Sequence, residues 1–102
     1  FTYELVLTGP DPFFAAQWHL DNTGQQGGTP GEDANCVPAW NAGATGQGVT
    51  IAIVDNGLEL AHPDLSPNVV AGSYNYLNGS SNPGLGDHGT ACGGIAAAAA
   101  NN

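Results

Sequence analysis

The alternation of apolar and polar residues is interrupted most clearly between residues 49 and 55, where a run of Val, Thr, Ile and Ala ends at Asp55. A continuous run of β-branched residues is typical of a central parallel strand that is covered on both faces. The Asn-Gly pair that follows is a turn signal. The pattern therefore predicts a buried strand of an α/β sheet that stops abruptly at a carboxylate.

Two segments have the composition of helices. Residues 35–42 carry Val, Ala and Trp and end before a glycine, which predicts a short helix. Residues 87–100 contain a run of alanines with high helix propensity, interrupted by glycines that fit only where backbones approach closely. A helix that is small and apolar all round is typically buried, but 102 residues supply too little other structure to cover it, so we expect the chain to be incomplete as a folding unit.

The remaining stretches predict turns, loops and short extended segments. Asp11 is placed to cap a helical turn with Pro12 at its first position. A polar loop is expected at residues 21–33. Short strands are expected at residues 1–8 and 69–76.

The charge of the chain excludes several classes of function. The 102 residues include nine carboxylates and no Lys or Arg, for a net charge of −9. Phosphate backbones and anionic membranes are bound through cations, so we expect neither nucleic acid nor membrane as a partner. Hard cations such as calcium would offset the charge, since they prefer oxygen ligands. The chain starts without Met and shows no leader or apolar span, which we interpret as a processed piece or fragment.

Asp55 and His88 are the candidate chemical groups. Asp55 stands at the carboxyl end of the predicted strand, where open α/β sheets place their ligands. His88 precedes Gly-Thr at the start of the predicted second helix. Each alone is most simply a turn or surface residue. Together, in the order Asp then His, they match the first two members of a subtilisin-type Asp-His-Ser triad.

Four segments give the resemblance its specificity, and they lie at residues 11–20, 49–59, 62–65 and 88–97. The last three contain Val-Asp-Asn-Gly, His-Pro-Asp-Leu and His-Gly-Thr-Ala-Cys. In this order they resemble the start of a subtilisin-like serine protease, or subtilase, closest to the kexin/furin-type branch and its bacterial relatives. The resemblance covers residues 10–102, with residues 1–9 as an arm or the end of a preceding segment.

The resemblance implies a three-layer α/β subtilisin-like fold with a mostly parallel sheet, of which the chain supplies the N-terminal portion. It implies a serine endopeptidase in which Asp55 and His88 serve a serine from a Gly-Thr-Ser segment that this chain lacks. The chain alone is then expected to be inert. Its implied partners are a polypeptide substrate, the remainder of its own catalytic domain and a propeptide inhibitor. The implied location is secreted, either extracellular or periplasmic.

The resemblance also implies a structural calcium ion and a specificity. The implied calcium ligands are Asp11, Asp64, Ala99 and Asn102, an oxygen-only set that suits calcium. Furin-like enzymes read paired basic residues with acidic groups, but this chain has Asn56 and Leu85 near the triad. We therefore expect broader specificity than strict dibasic cleavage.

Three alternatives compete with the triad. A zinc site could use Asp55, His62, His88 and Cys92, because His88 and Cys92 are spaced four apart on one helix face. A protease-like module without activity could bind peptides only. A dinucleotide-binding unit is excluded, because no Gly-x-Gly-x-x-Gly turn follows Asp55. Cys92 is otherwise a small packing residue, and Cys36 has no predicted role.

Overall fold

The computed structural model describes residues 11–100, so the predicted arm at residues 1–9 lies outside the described part of the chain. The described residues form four short elements, namely a 3-10 turn at Phe14–Ala16, helix α1 at Cys36–Asn41, a 3-10 turn at Ser66–Asn68 and helix α2 at Asp87–Ala97. The described residues divide into two compact units, residues 11–49 and residues 50–100. Within the described range, no helix is long and apolar enough to cross a membrane.

The first unit confirms the predicted first helix and polar loop. Asp11 accepts a hydrogen bond from the backbone N–H of Phe13 (3.2 Å) just before the first 3-10 turn. Helix α1 ends at Asn41, and Gly43 follows with a φ of 88°, a conformation that favours glycine at helix ends. The predicted loop is organised around a buried asparagine, Asn22, which is 7% exposed.

We call residues 21–35 the Asn22 loop. The Asn22 side-chain amide donates to the carbonyls of Thr29 (3.1 Å) and Glu32 (3.0 Å). Its carbonyl oxygen accepts from the N–H of Gly24 (2.9 Å). Its own backbone N–H donates to the Asp33 carboxylate (2.9 Å). This one buried side chain therefore forms hydrogen bonds with backbone groups that would otherwise be unpaired, because the loop belongs to no helix or sheet.

The second unit is built around α2. Helix α2 begins at Asp87, as predicted, and ends at Ala97, three residues before the end of the predicted range 87–100. Leu65, 5% exposed, lies beside Gly93, and Leu58 approaches the same glycine. The rest of α2 is largely open, with Ile95 78% exposed. Within residues 11–100 the apolar side chains around α2 reach only one face, as expected for a helix that so short a chain cannot cover.

The predicted strands are not confirmed. Residues 49–55 and 69–76 form no strand, and no strand occurs anywhere between residues 11 and 100. A strand is stabilised by hydrogen bonds to a neighbour, and residues 50–54 find no such neighbour within the described range. The side chains of Val49, Ile51 and Val54 are 67%, 52% and 94% exposed, so the apolar run is open instead of buried.

Candidate active site

The two candidate residues, 33 positions apart in sequence, are in direct contact. Nδ1 of His88 lies 2.8 Å from Oδ2 and 2.9 Å from Oδ1 of Asp55. Asp55 ends the apolar run and His88 lies in the first turn of α2. The side chain of His88 is 74% exposed, whereas that of Asp55 is 19% exposed. The imidazole therefore stands between a covered carboxylate and open solvent.

Asp55 is held in its ionised form by hydrogen bonds. The backbone N–H of Asn56 donates to its Oδ1 at 2.7 Å. This bond first, and the bond with His88 second, lower the pKa of the Asp55 carboxyl below its ordinary value of 3.8. An ionised carboxylate only accepts hydrogen bonds, so Nδ1 of His88 carries the proton between them. The neutral imidazole then has its lone pair on Nε2.

Glycines at the contact allow the turn that carries Asp55 to pack closely against the start of α2. The turn at residues 55–57 crosses residues 84–89, and we call this contact the dyad crossing. A Cβ on Gly57 would lie 2.8 Å from the carbonyl oxygen of Gly84, and its φ of 141° also favours glycine. A Cβ on Gly86 would overlap Oδ1 of Asn56, and one on Gly89 would overlap the carbonyl oxygen of Gly57. Glycine at all three positions therefore lets the backbone of Asp55 approach α2.

Side chains from both segments fasten the crossing. Oδ1 of Asn56 accepts from the N–H of Gly89 (3.1 Å), one of the free donors in the first turn of α2. Oγ1 of Thr90 accepts from the N–H of Glu59 (2.9 Å), and the N–H of Leu58 donates to the carbonyl of Gly84 (2.9 Å). Asn56 thus acts as an N-cap supplied from a distant segment, where α2 has no side-chain cap of its own.

The sequence pattern does not indicate these supporting roles. From sequence, Asn56 is expected only in a turn and at a specificity position, and Thr90 only as part of the His-Gly-Thr segment. The glycines gave a partial signal, since a helix start with Gly86, Gly89 and Gly93 indicates close packing. The partners of that packing lie about thirty residues away, as in the 31-residue separation of Glu59 and Thr90, and spacing along the chain does not reveal them.

Cys92 also lies at the site. Its Sγ is 3.7 Å from Nδ1 of His88, as the four-residue helical spacing predicts. One donor atom from each of Asp55, His88 and Cys92 lies within 4.8 Å of the other two. His62, the fourth ligand of the zinc alternative, is not in this group, and its Nδ1 instead accepts from the N–H of Asp64 (3.2 Å). Cys36 and Cys92 are both free thiols.

The structure describes three of the four predicted calcium ligands, namely Asp11, Asp64 and Ala99. Asp64 and Ala99 are neighbours, since the N–H of Ala99 donates to the carbonyl of Asp64 at 2.6 Å. Asp64 also lines a cleft of about 540 Å³, with Glu59 and Asp87 as its other carboxylates. Carboxylate and carbonyl oxygens are the donors that calcium prefers, so the Asp64 carboxylate and the Ala99 carbonyl are of the right chemical kind for the ion. Asp11 lies in the first unit, and Asn102 lies outside the described residues.

Comparison with known proteins gives a consistent result. Residues 46–102 match the model of the Subtilase family. The chain is 45% identical to neuroendocrine convertase 2 of Homo sapiens over 107 residues, which is 97% of this chain and 17% of the relative. It is 44% identical to PC3-like endoprotease variant B of Hydra vulgaris over 99 residues, 90% of this chain and 14% of the relative.

These matches confirm the resemblance to the kexin/furin-type branch that the four sequence segments indicate. The chain spans about a sixth of the length of the curated relatives that it matches. No solved structure gives a significant match.

Proposed function

Because this chain belongs to the subtilase family, we propose that it supplies Asp55 and His88 to the Asp-His-Ser triad of a serine endopeptidase. The observation that carries the proposal is the 2.8 Å contact between Nδ1 of His88 and the Asp55 carboxylate. Family membership implies an α/β subtilisin fold. We assign residues 10–102 to the N-terminal part of the catalytic domain and residues 1–9 to a preceding arm.

The mechanism follows from the tautomer of His88. Nε2, with its lone pair, takes the proton of the serine hydroxyl as the oxygen attacks the peptide carbonyl. The imidazolium that forms is stabilised by Asp55, which keeps its charge because its pKa is lowered. Nε2 then returns the proton to the leaving amine, and water repeats the sequence on the acyl-enzyme. The serine and the oxyanion donors come from residues outside this chain.

Substitution in the complete endopeptidase tests this proposal. Asp55→Asn should lower kcat about 10⁴-fold, because Asn presents the wrong donor to Nδ1 and disfavours the working tautomer. His88→Ala should lower it about 10⁶-fold. His19→Ala, a histidine of the first unit, is the control and should leave activity unchanged. Equal activity of all three variants would contradict the triad assignment.

The alternative is a protease-like domain that only binds peptides, and the same experiment separates it. If the complete protein carries another residue in place of the triad serine, peptide binding should persist and hydrolysis should be absent. In that case Asp55→Asn and His88→Ala would change neither property. A burst of product equal to the enzyme concentration, from acyl-enzyme formation, would exclude this alternative.

We further propose a structural calcium ion held by Asp11, Asp64, Asn102 and the carbonyl of Ala99. The proximity of Asp64 and Ala99 supports the assignment, as does a net charge of −9 that a cation would offset. In the complete enzyme, removing calcium should lower the free energy of unfolding by about 3–4 kcal/mol when the ion was at 100–1,000 times its Kd. Asp64→Asn should reduce this difference. Unchanged thermal stability on chelation would contradict the site.

The substrates and the location of the parent protein belong to the same proposal. Its partners are a polypeptide substrate, the remainder of its catalytic domain and a propeptide, and it acts in the secretory pathway or outside the cell. Specificity is broader than strict dibasic cleavage, because Asn56 and the exposed Leu85 give the dyad crossing no further acidic side chains at these positions. A peptide library that shows an absolute requirement for Arg before the cut would contradict this expectation.

A further inference from the structure

The thiol of Cys92 has no part in the proposed peptidase chemistry. It nevertheless lies 3.7 Å from Nδ1, the histidine nitrogen that bonds to Asp55. Oxygen, nitrogen and sulfur donors from Asp55, His88 and Cys92 all lie within 4.8 Å of one another. A carboxylate, an imidazole and a thiolate are together a donor set of zinc sites, and the sulfur and nitrogen disfavour calcium or magnesium.

We propose that Asp55, His88 and Cys92 form a second, inhibitory site that binds Zn²⁺ in place of the proton on Nδ1. Its inhibitory consequence rests on the proposed peptidase function. Binding forms Zn–N, Zn–S and Zn–O bonds; the thiol proton is released to solvent, and the imidazole keeps its proton, which moves from Nδ1 to Nε2. The charges of the carboxylate and the thiolate balance the ion, so the site is neutral overall.

The two distances from Nδ1 are close to those that zinc requires, and the Cys92 sulfur lies within 4.8 Å of an Asp55 oxygen. Tetrahedral coordination at ordinary bond lengths separates ligand nitrogen and sulfur atoms by about 3.6 Å, and nitrogen and oxygen atoms by about 3.3 Å. The sulfur of Cys92 already stands at 3.7 Å from Nδ1. The Asp55 oxygen at 2.8 Å would move away by about half an ångström. Three protein ligands leave a fourth position, which water can fill because His88 is largely exposed.

Zinc and the triad cannot use His88 together. The proposed mechanism needs Nδ1–H directed at Asp55, and zinc occupies that nitrogen. With zinc on Nδ1, the neutral imidazole carries its proton on Nε2, so Nε2 has no lone pair with which to take the serine proton. Zinc is therefore expected to compete with catalysis without contacting the substrate.

Protection of the Cys92 thiol from alkylation tests the zinc site on the full chain and does not depend on peptidase activity. The chain is treated with iodoacetamide with and without saturating Zn²⁺, and labelling of each cysteine is followed by peptide mass spectrometry. Cys36 and Cys92 are both half-buried, so Cys36 is an internal control. We expect zinc to slow alkylation of Cys92 at least tenfold and to leave Cys36 unchanged. Equal labelling of Cys92 with and without zinc would overturn the proposal.

Two variants sharpen the result. His88→Ala should abolish the protection of Cys92, whereas His19→Ala should retain it. The His88 side chain is 74% exposed, so its removal is not expected to unfold the chain. Protection that persists in His88→Ala would overturn the proposed ligand set. Protection of Cys92 with an inactive parent protein would disprove only the peptidase proposal, and an active parent without protection would disprove only the zinc site.

Discussion

The Asn22 loop and the dyad crossing solve the same problem in opposite ways. Both are irregular backbone that must satisfy its polar groups without a ladder. The Asn22 loop does so by adding one buried side chain, whose amide bonds to three backbone groups. The dyad crossing does so through close approach of two backbones at its glycines, where the N–H of Leu58 reaches the carbonyl of Gly84 and short side chains reach the remaining groups. The Asn22 loop should therefore be destabilised when side-chain atoms are removed, and the dyad crossing when they are added.

The largest loss of stability is expected when a side-chain atom is added at the dyad crossing. Gly89→Ala places a Cβ on the carbonyl oxygen of Gly57. Backbone has to shift to accommodate it, so we expect a loss of about 3 kcal/mol in the free energy of unfolding by urea. The matched control is Gly94→Ala in the same helix, where a Cβ meets nothing within 4 Å and should stabilise by up to about 1 kcal/mol. Similar changes in both variants would show that the crossing is not tight.

The next effect is expected where atoms are removed from the loop. Asn22→Ala leaves the carbonyls of Thr29 and Glu32 and the N–H of Gly24 without their partner. We expect a loss of about 2 kcal/mol in the same urea experiment. Asn78→Ala removes an exposed amide that accepts one bond from Ser80, and should cost about 0.5 kcal/mol. If the two variants unfold at the same urea concentration, the buried amide does not organise the loop.

A smaller effect tests whether the crossing also depends on a side chain. Asn56→Ala removes the oxygen that caps Gly89 and should lower stability by about 1 kcal/mol. Asn56→Asp keeps an acceptor at that position, and its charge lies near the positive end of α2, so it should retain most of the stability. Thermal unfolding of both variants measures the difference. A larger loss for Asp than for Ala would exclude the capping role.

The smallest effect is expected from acid, which acts on both regions. Backbone N–H groups of Asn22 and Asn35 lower the pKa of Asp33, and the N–H of Asn56 followed by His88 lowers that of Asp55. Each folded pKa lies below the ordinary 3.8, so each contribution to stability is complete above that value and is lost as pH falls through the folded pKa. Both residues remain partly accessible to solvent, which screens their charges and keeps the effect modest.

The contribution of Asp33 can be separated from that of Asp55 by substitution. Asp33→Asn no longer titrates, so the urea midpoint should fall less steeply below about pH 4 than in the unmodified chain. The measurement is a series of urea titrations from neutral to acidic pH. An unchanged slope would mean that the Asn22 loop does not sense acid through Asp33.

Local patterns could be predicted from the sequence, whereas partners distant in sequence could not. The alanine run and the glycine after Asn41 predicted both helices, and helical spacing predicted that Cys92 stands beside His88. The pairing of Asp55 with His88 was predicted by family resemblance, not by spacing. The role of Asn22 was missed because polar loop residues look alike in sequence, and only the fold decides which one is buried.

The predicted sheet shows what composition alone does not establish. β-Branched composition reports how well a segment would fit a sheet, but a strand exists only with a hydrogen-bonded neighbour. Residues 49–54 have the composition, but residues 50–54 form no backbone hydrogen bond with any residue between 11 and 100. Likewise α2 has the composition of a buried helix, while its far face remains open.

The open run at residues 49–54 governs how the chain behaves in concentrated solution. Short β-branched segments without proline tend to form β-sheets between molecules. In this chain the segment ends at the Asp55 carboxylate, whose charge opposes such association. At neutral pH a net charge of −9 keeps the molecules apart. Acid or high salt removes that repulsion, so the chain should be purified and stored in dilute, mildly alkaline, low-salt buffer.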